Sequence, residues 1–200
     1  MNAFTLQKEL TDWSIKNSGY DEHRNYIGLS VILDCPRIIY RRFFNHTGMP
    51  MELRLRTRYS YEVEEIIKNR FKAIEVYSKG KEISIYDGLV KGHTDGEIQT
   101  IDPPRLVALL EIKTVPATDH IPKTFHEIPR KVIWQAQAYM LYGYYNLTFC
   151  FYFARESGLF RIFEIRPDPE IRQVIIKKVD YLVKSVTLKE LPICECGKCL

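Results

Sequence analysis

A chain of 200 residues with 46% hydrophobic content, including 13 Tyr and 10 Phe, can build one sizeable core, which excludes a disordered or low-complexity protein. A formal net charge of +4 permits a nucleic-acid partner without demanding one. Met1 to Trp13 carry Lys8, Glu9 and Asp12, unlike a secretory signal, and no apolar run reaches membrane-spanning length. The expectation is one soluble, cytoplasmic domain over 1–200, with no membrane partner.

Taken in chain order, Phe4, Leu6, Leu10 and Trp13 predict a helix over 4–16. A polar stretch follows to Gly28. A second helix carries Cys35 to about Asn45; Ser30 can cap it, while Pro36 argues for a start near Asp34. Arg37, Arg41, Arg42, Arg54, Arg56 and Arg58 then lie among Tyr40, Phe43, Phe44 and Tyr59, a mixture suited to phosphate contact and base stacking. A third helix spans about 57–71. Residues 73–77 and 82–86 read as strands of a hairpin turning at Ser78-Lys79-Gly80-Lys81. One strand runs over 89–101, and a buried central strand over 106–114. A proline-rich loop, a helix over 130–145, strands over 147–155 and 159–165, a helix over 168–184 and a loop tail complete the chain. This order predicts a mixed α/β core with helical additions at its front.

The chemistry concentrates in Gly92-His93-Thr94-Asp95 and Glu111-Ile112-Lys113. Side chains alternate along a strand, so Glu111 and Lys113 share a face, as His93 and Asp95 do on theirs. If the two strands are neighbours, two carboxylates and an ammonium meet at one sheet edge. Asp95 and Glu111 would hold Mg²⁺ or Mn²⁺ through oxygen, with the Ile112 carbonyl as a further ligand. Lys113 would position water or stabilise charge on a phosphorane. Leu106-Val107-Ala108-Leu109-Leu110 implies that Glu111 is buried, where an unpaired charge is costly. Gln135 and Tyr139, four apart on the next helix, share a face that could orient substrate or the lysine.

These residues resemble the RecB-like branch of the PD-(D/E)XK nuclease superfamily. The match is G-x-x-D at Gly92 to Asp95, E-x-K at Glu111 to Lys113, and Q-x-x-x-Y at Gln135 to Tyr139. Within that branch the chain looks most like the CRISPR-associated adaptation nuclease (Cas-four) family, in which one N-terminal and three C-terminal cysteines surround an iron–sulfur cluster. Leu29-Ser30 to Cys35-Pro36-Arg37, Tyr40, Cys194, Cys196 and Cys199 carry that likeness. The resemblance implies a restriction-endonuclease-like core, a mixed central sheet flanked by helices. It implies a metal-dependent exonuclease acting on single-stranded or free-ended DNA in spacer acquisition, with CRISPR integrase proteins as partners. The helical part, 1–56, and the tail, 187–200, would be joined by the cluster.

There are two departures. The family's extra histidine ligand on the helix before the strands is missing, and Tyr61 stands in its place; Glu62, Glu65 or His93 would substitute. The Cys-x-Cys-x-x-Cys tail is also tighter than usual. Cys35 is the natural fourth ligand, because Cys150 lies between Phe149 and Phe151 and reads as a small buried hydrophobe. Spacing alone admits zinc and iron–sulfur alike; the resemblance points to 4Fe–4S, then 2Fe–2S, then zinc. A catalytically inactive DNA-binding scaffold is the alternative function. A site-specific restriction endonuclease shares the core, but the cysteine cluster and Gln135/Tyr139 speak against it.

Overall fold

A computed structural model describes residues 25–45, 51–72, 77–99 and 106–197, with side chains in the second helix described from Tyr59 onward. The expected helix over 4–16 and the expected strand end at Asp102-Pro103-Pro104 lie outside the described residues.

The centre of the fold is β6 (Val107–Val115), whose Ala108 to Ile112 are all buried. It pairs antiparallel with β5 (Gly96–Gln99) on one side. On the other it runs parallel to β7 (Thr148–Ala154), which pairs antiparallel with β8 (Phe160–Ile165). β2 (Tyr77–Lys79) completes a five-stranded sheet in the order β2-β5-β6-β7-β8. A parallel pair needs a crossover, and here the crossover contains the helix Arg130–Gly143. A second, three-stranded sheet has β4 (Val90–His93) between β3 (Glu82–Ile85) and β1 (Ile27–Gly28), with β1 and β4 parallel. Both sheets are mixed; the five-stranded one, flanked by helices, is the mixed central sheet that the sequence led one to expect.

The helices are α1 (Pro36–Phe44), α2 (Met51–Phe71), α3 (Arg130–Gly143) and α4 (Pro169–Leu188). Pro36 takes the first helical position, so α1 begins there and not at Asp34; Ser30 instead sits in a 3-10 turn, Leu29–Val31. α2 lies against one face of the large sheet, where Val63, Ile67 and Phe71 meet Leu110, Ile112 and Phe151. α3 and α4 pack into the main core on the other, with Leu109, Cys150, Tyr152 and Ile165. Cys150 is fully buried in that core, as read from the sequence. The buried Gln137 amide donates to the Arg166 carbonyl at 2.7 Å and accepts from the Asp168 N–H at 3.0 Å, tying α3 to the start of α4. Asp168 caps α4 through the N–H groups of Glu170 and Ile171.

The strands before β6 differ from expectation. β2 and β3 do not pair with each other: β2 pairs with β5, and β3 with β4. The turn lies at Tyr86 to Leu89, where Tyr86, Asp87 and Gly88 have positive φ. The expected single strand over 89–101 breaks at Thr94-Asp95. Both arms of one long hairpin thus bend together and pass from the small sheet to the large one. Thr94 clamps the bend, its N–H donating to the Lys81 carbonyl at 3.1 Å and its Oγ1 accepting from the Lys81 N–H at 3.0 Å. Gly80 is required there, since a Cβ would lie 1.8 Å from the Thr94 carbonyl oxygen.

Candidate active site

The bend leaves a notch. β5 pairs with β6 only as far as Gly96 opposite Leu110, while β6 runs on from Glu111 to Val115 beside β7. Asp95, the last residue before β5, fills the vacated edge, and its Oδ2 accepts from the Ile112 N–H at 2.7 Å. Residues from both faces of the sheet can therefore meet at one place. They line a cleft of about 230 Å³ that includes Tyr61, Glu64, Asp95, Glu111, Lys113 and Gln135.

On the α3 side, Lys113 donates to Glu111 and, at 3.2 Å, to the Gln135 carbonyl oxygen. The Gln135 amide nitrogen donates to Glu111 Oε1 at 2.8 Å and lies 3.4 Å from the Tyr139 hydroxyl. The amide thus bridges the acid and the ammonium, which fixes which end of Gln135 carries oxygen. Glu111 is only 2% exposed. Burial pulls the Lys113 ammonium towards deprotonation, but the Glu111 and Asp95 carboxylates outweigh it and hold Lys113 firmly protonated. Burial, then the Glu111 and Asp95 carboxylates, keeps the Tyr139 hydroxyl protonated well above its usual range. Gly92 makes room for Tyr139: a Cβ there would lie 2.5 Å from its ring.

From the opposite face, α2 brings Glu64. Burial and the nearby Asp95 carboxylate push the Glu64 carboxyl up to about 7. Burial and Glu111 likewise push Asp95 well above the ordinary carboxylate range. Lys68 answers part of this charge with contacts of 2.5 Å to Glu64 and 3.3 Å to Glu65. Three carboxyl groups crowded into a largely buried notch, two of them pushed towards protonation, are a donor set that fits a hard divalent cation.

Asp95, Glu111, Ile112, Lys113, Gln135 and Tyr139 line one cleft. Glu62 and Glu65 are exposed and outside the cleft lining; the carboxylate that α2 delivers is Glu64. The spacing of α2 held the signal. Glu64 follows Val63 and precedes Ile67 by three, which puts it beside the seam facing the sheet. Tyr61, where the resemblance expects histidine, does line the cleft. His93 is at the rim, with its side chain 62% exposed and Nε2 3.1 Å from Glu82.

A second site lies where the tail returns to α1. The sulfurs of Cys35, Cys194 and Cys196 all fall within 4.8 Å of one another, none in a disulfide. Cys199 is outside the described residues. Arg37 Nε donates to the Pro192 carbonyl at 2.9 Å, and the Ile193 N–H donates to the Tyr181 hydroxyl at 2.9 Å, fastening the tail to α1 and α4. Three close thiols from distant parts of the chain form a set that could hold a metal. Of the arginines singled out in the sequence, Arg37 is engaged here and Arg42 pairs with Asp34 at 2.9 Å; the side chains of Arg54, Arg56 and Arg58 are outside the described residues.

The fold is similar to that of a solved exonuclease. No protein-family model matches the sequence, and no curated protein matches it. Among solved structures, the chain is similar to the alkaline exonuclease LHK-Exo of Laribacter hongkongensis, with a TM-score of 0.57 and 12% identity over 86% of this chain and 92% of that one. The same enzyme in complex with dAMP gives a TM-score of 0.56 and 13% identity, with the same coverage. The crystal structure of SSO0001 gives a TM-score of 0.60 and 15% identity over 97% of this chain and 93% of that one. At these identities the likeness is one of fold.

Proposed function

We propose that the protein is a metal-dependent DNA nuclease working at the notch between β5 and β6. The observation that carries this reading is the convergence of Asp95, Glu111 and Glu64 beside a protonated Lys113. Asp95, Glu111 and Glu64 would hold Mg²⁺ or Mn²⁺, with the Ile112 carbonyl completing the set. A cation held there would supply Lewis-acid activation of water and neutralise charge on the scissile phosphate. Lys113, kept charged by Glu111, donates to the attacking water or to the phosphate oxygens as negative charge develops. Gln135 holds Lys113 and Glu111 in register through its two amide ends, and Tyr139 supports Gln135 from one turn further on. His93, exposed at the rim, would touch substrate more than metal.

The substrate is DNA with free ends, single-stranded by preference, as the RecB-like resemblance implies. That resemblance further suggests trimming of DNA before spacer integration, alongside CRISPR integrase proteins. Cys35, Cys194, Cys196 and Cys199 would hold a structural 4Fe–4S cluster. Linear and closed circular DNA incubated with the protein in Mn²⁺, Mg²⁺ or chelator test the activity. Metal-dependent loss of linear DNA with circles spared is expected; cleavage of circles would indicate an endonuclease. No cleavage of any DNA by folded protein would leave the DNA-binding scaffold as the better account.

A further inference from the structure

The cleft does not end at the carboxylates. Its wall continues along α2 as Ser60 and Tyr61, and Arg155 in the β7–β8 turn reaches this wall. The Arg155 N–H donates to the Val115 carbonyl at 2.9 Å, which places the residue just past the Lys113 end of β6. Its guanidinium then crosses to α2, where Nη1 donates to Ser60 Oγ at 3.1 Å and the group sits 5.3 Å from the centre of the Tyr59 ring.

These two anchors are neutral. They hold the guanidinium against α2 but carry no negative charge, so neither neutralises it. The described lysines of this region differ. Lys68 holds Glu64 and Glu65, Lys91 holds Glu82, and Lys113 holds Glu111. Among the described residues Arg155 has no carboxylate in ion-pair range. A half-buried guanidinium held by neutral groups beside a cleft is suited to receive a planar or tetrahedral oxyanion.

We propose that Arg155 is the phosphate-binding residue of a second nucleotide subsite, taking a phosphate of the same strand next to the one at the carboxylates. The inference rests on the nuclease reading and adds the direction in which the strand leaves the metal site, towards the β7–β8 turn. The ligand is a nucleic-acid phosphate, either a terminal monoester or an internal diester.

The test separates binding from cleavage. Affinity for a labelled single-stranded oligonucleotide is measured in chelator, with hydroxyl or phosphate ends, for the wild type and Arg155→Gln, and each protein's Tm is recorded. Arg155→Gln should bind about tenfold more weakly. Its dependence of log affinity on log salt should be shallower by about 0.7, as for one phosphate contact on a single strand. If the variant weakens only phosphate-ended strands, the ligand is the terminal phosphate; equal weakening of all strands identifies an internal one. Unchanged affinity and salt slope in a folded variant would overturn the proposal. Should Arg155→Gln fail to fold, phenylglyoxal modification of the wild type decides: bound oligonucleotide is expected to protect Arg155, and modification at the same rate with and without DNA would overturn it. If the wild type binds DNA through Arg155 yet cleaves none with Mn²⁺ or Mg²⁺, the subsite stands while the nuclease reading falls.

Discussion

Lys113 and Gln135 show how much of the site depends on charge balance. The notch holds Glu64, Asp95 and Glu111 against Lys113 and Lys68, so negative charge is in excess once all three carboxyls are ionised. That excess has a pH signature. The Glu64 carboxyl sits near 4.5 in an unfolded chain and is pushed to about 7 in the fold, so the folded state binds more protons between those values; Asp95 moves the same way. The stability contributed by these groups is therefore greatest in acid and is lost as pH rises towards 7. Metal-free protein should melt at a lower temperature at pH 8 than at pH 5.5, and Mn²⁺ should raise Tm more at pH 8. Differential scanning fluorimetry with and without chelator measures both effects, and Glu64→Gln should flatten the metal-free profile.

At the scale of elements, α2 and the bent hairpin decide which residues can meet. α2 is anchored by Val63, Ile67 and Phe71 on the sheet, which aims Glu64 into the notch and leaves Glu62 in solvent. Glu64→Gln should lower metal-dependent activity by about a hundredfold, in line with the loss of one preorganised charged group, whereas Glu62→Gln should stay within about twofold. Comparable losses in both variants, read from initial cleavage rates, would remove Glu64 from the metal site. The helix was legible from its composition, though it begins at Met51 and not near residue 57. The faces of the motif residues on β6 and α3 were legible too, because strand alternation and the four-residue helical repeat fix them. The substitute for the missing histidine was not. Choosing among Glu62, Glu64 and Glu65 needs the rotation of α2 about its axis, which depends on packing against Leu110 and Phe151. The hairpin was misread for a similar reason: Ser78 to Lys81 has turn-forming residues, but Gly80 serves a close backbone approach instead, and the turn falls at Tyr86 to Leu89.

At the scale of the whole molecule, the thiol site closes the fold. Cys35 at the start of α1 meets Cys194 and Cys196 from the far end of the chain, a juxtaposition that the spacing suggested and that only the tail's return along α4 produces. Cys35→Ser should deplete bound metal and visible absorbance and lower Tm, with activity falling in proportion to the unfolded fraction, because the thiols are separate from the notch. Elemental analysis beside calorimetry follows this; full metal content in Cys35→Ser would remove that residue from the site. Arg155 escaped the sequence reading altogether, since nothing local to the β7–β8 turn reports that it will meet Ser60 on α2.

The most direct test of the nuclease reading is cleavage of end-labelled single-stranded DNA in Mn²⁺ or Mg²⁺ by protein purified without oxygen, with Glu111→Ala and Lys113→Ala alongside and the visible spectrum taken before each assay. The account predicts metal-dependent cleavage by the wild type, a loss of about a hundredfold or more in each variant, and an unchanged spectrum in all three. Undiminished cleavage by folded Glu111→Ala and Lys113→Ala, or no cleavage by the folded, metal-loaded wild type, would contradict it.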